Sequence, residues 1–131
     1  MDARREAQVW RCARNRCVYC HFPAEFTRVP FQIDHVIAEK HRGETKLGNL
    51  ALSCLFCNTF KGPNVAGVDP HTRRITRLFN PRHDTWSRHF RWDGALLEGR
   101  TAVGRTTIEV LRMNRRDAVV VRQSLISEGI L

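Results

Sequence analysis

Lysine is scarce in this sequence. Of its 22 basic residues only Lys40, Lys46 and Lys61 are lysines, so nearly all the positive charge sits on guanidinium groups, whose planar forks match phosphate oxygens. Acidic residues are also few, 13 against 22, which leaves a formal net charge of +9. Arginine-rich codon usage would explain the Arg-to-Lys ratio but not the excess of positive charge. A polyanion, most simply nucleic acid, is expected as partner, ahead of an acidic protein or an anionic membrane surface. No apolar run approaches the ~18 residues of a membrane-crossing helix. The N-terminal stretch MDARREAQVW is charged and lacks the apolar region of a secretory signal, so a cytoplasmic, reducing setting is expected. Repeats and low-complexity tracts are absent. The 131 residues fit one domain, 1–131, and a hydrophobic content of 42% with three Trp and seven Phe gives a modest core that would gain from a staple.

The staple is present. Five cysteines cannot all pair, but four of them form Cys17-x2-Cys20 and Cys54-x2-Cys57. In a reducing setting paired CxxC motifs point to metal rather than to disulfides. Four thiolates are the donor set of a closed, structural Zn²⁺ site. Cys12 is left over and is expected to pack as a small apolar residue.

The pattern along the chain is that of an α+β protein. Residues 3–15 read as a helix with Asp2 as N-cap and Val9 and Trp10 facing the core. FQIDHVI (31–37) alternates as a half-buried strand does, and LALS (50–53) is a second strand. FCNTFK then begins a short helix that Gly62-Pro63 stops. Residues 63–85 look loop-like. RHFRWDGALLEG is a hairpin around Asp93-Gly94, and helices are expected over about 101–113 and up to Gly129. The division is a core at 17–62 and a C-terminal extension at 63–131.

The segment between the cysteine pairs carries Asp34-His35, Asn49 and, directly after Cys57, Asn58, followed by Lys61-Gly62. IDHVIAEKHRGETKLGNLALSCLFCNTFKG resembles the motif of the HNH endonucleases, the ββα-metal nucleases, in its HNN form, and the resemblance covers residues 17–62. It implies a strand–strand–helix core and a metal-dependent hydrolase acting on DNA. Asp34 and Asn58 would hold a catalytic divalent ion, His35 would activate water, and Asn49 would orient the His35 imidazole. An amide oxygen at position 58 is harder than the imidazole many members carry there, which favours Mg²⁺ or Mn²⁺. Histidine ordinarily titrates near neutrality and suits the base. Asp34 and His35 are neighbours on a strand and point to opposite faces if it is regular, so their cooperation requires a bend or a strand end. Lys61 shares a helix face with Asn58 and would either contact the DNA backbone or cap the helix end.

The stretch 73–92 interleaves arginines with aromatics. Phe79, Trp86, Phe90 and Trp92 are expected in the core, while Arg73, Arg74, Arg77 and Arg82 would join Lys61 on DNA phosphates. One catalytic set per chain points to a nicking monomer. An apolar face on the last helix, including Val119, Val120, Leu125 and Ile126, is expected in the core; the alternative is that it forms a two-fold interface. The competing reading is a zinc-stabilised nucleic-acid-binding module without catalysis.

Overall fold

Asp2 opens the first helix of the chain, which the computed structural model describes over residues 1–131. Its carboxylate accepts a 2.8 Å hydrogen bond from the Arg5 amide, one of the donors a helix start leaves unpaired. Helix α1 (Ala3–Cys12) lays Val9 into an apolar cluster with Leu50 and Leu52. Trp10 flanks that cluster and stacks on Phe31 with centroids 6.1 Å apart. Cys12 departs from expectation, because it is exposed at the end of the helix.

Strands β1 (Gln32–His35) and β2 (Leu50–Ser53) pair antiparallel with Asp34 opposite Ala51 and His35 opposite Leu50. All four β2 residues are buried. Helix α2 (Leu55–Lys61) follows β2 after a single residue, Cys54. Gly62 ends the helix at φ 51°, a positive-φ conformation that costs a glycine little. The hairpin-then-helix order expected of the core is thus present.

The chain divides into two compact units, residues 1–65 with 80–83 and residues 66–79 with 84–131. The second unit is built from two hairpins and three helices. Strands β3 (Ala66–Val68) and β4 (Ile75–Arg77) form a hairpin where the sequence pattern reads as loop. A single-turn helix α3 (Trp86–His89) leads into the expected hairpin, β5 (Phe90–Asp93) with β6 (Leu96–Gly99). Thr101 caps α4 (Ala102–Val110), its hydroxyl accepting from the Gly104 amide at 3.1 Å. A Cβ at Gly104 would lie 1.9 Å from the His89 carbonyl oxygen, so the glycine inside this helix allows close packing.

Helix α5 (Arg116–Ser127) buries Leu125 and, unexpectedly, Arg122. The Arg122 guanidinium donates to the carbonyls of Ala95 and Met113 and lies 5.5 Å from the Trp92 ring centroid. Val120 and Ile126 are exposed, and Val119 is only half-buried, so the α5 face expected in the core contributes little beyond Leu125. Phe79 and Phe90 are buried and meet edge to face at 5.2 Å, with Trp86 also 5.2 Å from Phe90. No helix is long and apolar enough to cross a membrane.

Candidate active site and metal centre

The first cysteine pair lies on a tight knuckle. The His21 amide donates to the Cys17 carbonyl at 2.9 Å and the Cys17 amide to the Phe22 carbonyl at 3.0 Å. Val18 N–H donates to the Leu52 carbonyl at 3.0 Å, docking the knuckle on β2. The second pair starts α2, where Cys54 is the N-cap and its sulfur accepts from the Cys57 amide at 3.4 Å. All four cysteines are buried, none is in a disulfide, and their sulfurs lie within 4.8 Å of one another. The Cys20–Cys54 separation is 3.8 Å. Four sulfurs each ~2.3 Å from one tetrahedral ion sit about 3.8 Å apart, so the cluster has the dimensions and donors of a zinc site. Contact with the Cys17 sulfur holds the thiols of Cys20 and Cys57 well above the ordinary thiol value. A cation offsets the repulsion that ionising four crowded thiols creates.

Cys57 fixes the position of Asn58, the next residue of α2. The Asn58 amide nitrogen donates to the Gln32 side-chain oxygen, which leaves its own oxygen unengaged. An open cleft of about 240 Å³ is lined by Asp34, His35 and Asn58, together with Ile33, Ala38, Glu39, Gly62 and Pro63. His35 is the last residue of β1, and the chain turns there, so the adjacent Asp34 and His35 both reach the cleft despite the alternation of a regular strand.

Asp34 is 6% exposed. Its Oδ2 accepts from the Tyr19 hydroxyl at 3.0 Å and pairs with Lys61 Nζ at 3.1 Å. Burial pushes the carboxyl above the ordinary range, and the charge of Lys61 pulls the other way. Burial, then the nearby Asp34, holds the Tyr19 phenol well above its ordinary value, so it remains a donor. Lys61 is 2% exposed and also donates to the His35 carbonyl at 3.3 Å. This corrects the expectation that Lys61 contacts DNA or caps the helix end. It is an internal counter-charge, because a buried carboxylate without one is costly.

Asn49 also behaves differently from expectation. Its side-chain oxygen accepts from the Ile37 amide at 2.9 Å, and its nitrogen donates to the carbonyls of Ile37 at 3.0 Å and Glu44 at 2.9 Å. The amide is therefore committed to backbone rather than to the His35 ring. A Cβ at Gly43 would lie 1.6 Å from the Ile37 carbonyl oxygen, so the loop that Asn49 closes admits only glycine there. The loop delivers Thr45, whose hydroxyl lies 2.9 Å from His35 Nε2. Glu39 is also near that nitrogen, at 3.7 Å. Asn49 thus braces the loop that carries Thr45 and does not itself touch His35. Thr45, Tyr19 and Gln32, which the motif does not flag, contact His35, Asp34 and Asn58 respectively.

The arginines expected on DNA divide. Arg73 and Arg74 are exposed and pair with no carboxylate. Arg77 forks onto Asp84 at 2.7 and 3.1 Å, so its charge is already compensated. Arg82 is half-buried, with its Nε buried.

Asp34 and Asn58 both line the cleft and both carry hard oxygen donors. They suit Mg²⁺ or Mn²⁺, which bind through few protein oxygens and keep other positions for water and phosphate. Residues 17–64 match the model of the HNH endonuclease family. The chain is similar to the Septu protein PtuB of Bacillus thuringiensis, 28% identical over 116 residues, which cover 87% of this chain and 42% of that relative. The chain thus spans less than half the length of the curated relative it matches. No solved structure matches it.

Proposed function

We propose that this chain, which carries an HNH endonuclease domain at residues 17–64, is a divalent-metal-dependent endonuclease that hydrolyses phosphodiester bonds of DNA. The observation that supports this reading most is the convergence of Asp34, His35 and Asn58 on one open cleft.

His35 is the general base. Its Nε2 is held by the Thr45 hydroxyl, which fixes the ring and leaves Nδ1 to take a proton from an attacking water. Asp34 and Asn58 would hold the divalent ion, which would supply charge neutralisation at the phosphate and the leaving oxygen. Cys17, Cys20, Cys54 and Cys57 would hold a zinc ion, and Cys54 and Cys57 would thereby fix the start of α2 and the reach of Asn58. Arg73 and Arg74 contribute phosphate contacts, which give affinity without reading sequence and depend steeply on salt.

One such set per chain cuts one strand per encounter. Supercoiled plasmid incubated with purified protein and Mg²⁺ or Mn²⁺ should become open circles first, with linear product accumulating later through independent nicks. EDTA should abolish cleavage while about one zinc per chain stays bound. DNA retained on the protein but never cut, with either ion, would instead establish a binding module. Linear product appearing before open circles would contradict single-strand nicking.

A further inference from the structure

We propose that Tyr19 is a positioning residue for the ion-binding carboxylate of Asp34, held in place by the zinc knuckle; this rests on the reading of Asp34 as an ion ligand. Tyr19 lies inside the first cysteine pair, between Cys17 and Cys20, and is fully buried. Its hydroxyl is 3.0 Å from Asp34 Oδ2. Lys61 Nζ also lies nearest that oxygen, at 3.1 Å, and is 3.5 Å from Oδ1.

Neither Tyr19 nor Lys61 lines the cleft on which Asp34 opens. Both therefore reach the carboxylate from behind and converge on one oxygen. A carboxylate is planar, so pinning Oδ2 fixes the direction of Oδ1 and presents it to the cleft. The two partners do different work. The Lys61 ammonium is a point charge with three rotating donors, shared with the His35 carbonyl, and it neutralises more than it orients. The Tyr19 phenol has one donor on a rigid ring.

A phenylalanine would fill the same space without the need to satisfy a buried hydroxyl. The oxygen of Tyr19 is thus the part that serves Asp34. The ring cannot drift, because its neighbours Cys17 and Cys20 are tied into the sulfur cluster and Val18 is bonded to β2. The structural metal centre and the catalytic carboxylate are joined through a single side chain.

Removing the partner of a metal-ligating side chain typically costs 10–100-fold in metal affinity. Tyr19→Phe should therefore weaken Mn²⁺ binding to the zinc-loaded protein by roughly 10-fold or more. Mn²⁺ binding is followed by electron paramagnetic resonance of the free ion, with zinc content and melting temperature measured alongside. Wild-type affinity in Tyr19→Phe overturns the inference, whatever happens to its melting temperature or zinc content. Asp34→Asn is the control. Mn²⁺ bound equally well by wild type and Asp34→Asn, or not bound by wild type at all, defeats the reading of the site and this inference with it.

A second measurement needs no substitution at Tyr19. It is the only tyrosine in the chain, so ring-labelled [¹³C]tyrosine gives a single protein signal. That signal should move as Mg²⁺ is added to wild type and stay still in Asp34→Asn. A static signal in wild type at saturating Mg²⁺ overturns the inference.

Discussion

The hydroxyl of Thr45 lies 2.9 Å from Nε2 of His35, ten residues away along the chain and brought back by the loop that Asn49 closes. This contact engages Nε2, and in the function proposed above Nδ1 is the nitrogen left for water. A hydrogen bond of this kind contributes about 1 kcal/mol, and about 1.4 kcal/mol is tenfold in rate. Thr45→Val should lower the single-turnover cleavage rate by roughly 5-fold with DNA affinity unchanged. Serine at the same position should restore most of the loss. A valine variant that cleaves at the wild-type rate would remove Thr45 from the site.

Lys61 separates an internal role from a surface one. Breaking a buried ion pair by removing one partner costs about 3–5 kcal/mol. Lys61→Ala should therefore shift the urea unfolding midpoint strongly downward, because Asp34 stays buried without its counter-charge. A DNA-contacting lysine would do the opposite, leaving stability alone and reducing the salt dependence of binding. Urea titration beside a salt series of DNA binding distinguishes the two.

Acid stability of the second unit should depend on Asp69. This residue is fully buried, and the Arg105 fork, at 3.1 and 2.9 Å, holds its carboxyl below the ordinary range. A carboxyl depressed in the folded state contributes stability above its unfolded value, near pH 4, and loses that contribution as pH falls. Asp69→Asn should melt below wild type at pH 7, and the gap should narrow steadily below pH ~4. A gap of constant size between pH 7 and pH 3 would mean that the ion pair contributes through packing alone.

Much of this architecture is legible in the chain itself. The Asp2 cap, the β2 strand, the α2 stop at Gly62 and the turn at Gly94 are all short-range signals, and each falls where the local residues put it. The β3–β4 hairpin is not legible, because its organiser is distant. Asp69 bonds the His71 amide and the Thr72 hydroxyl within the turn but is itself held by Arg105, 36 residues later. Gly67 also breaks the strand pattern, and a Cβ there would lie 2.4 Å from a Val110 methyl.

The site divides in the same way. The cysteines stand out by type and spacing, while Asp34, His35 and Asn58 are marked only by the resemblance to the HNH motif. Lys61 reads as a surface cation because nothing near it in sequence reveals that a carboxylate 27 residues earlier is buried beside it. Tyr19 and Thr45 are ordinary residues whose importance comes only from what the fold places opposite them.

In the proposed function His35 activates water in an ion-dependent cleavage of DNA. The direct measurement is a time course of supercoiled plasmid with Mg²⁺ or Mn²⁺, comparing wild type with His35→Ala, alongside DNA binding and thermal melting of both proteins. General bases contribute roughly 10²–10⁴-fold, so the variant should lose cleavage on that scale while it still melts and binds DNA like wild type. Cleavage by folded His35→Ala at the wild-type rate would contradict the account.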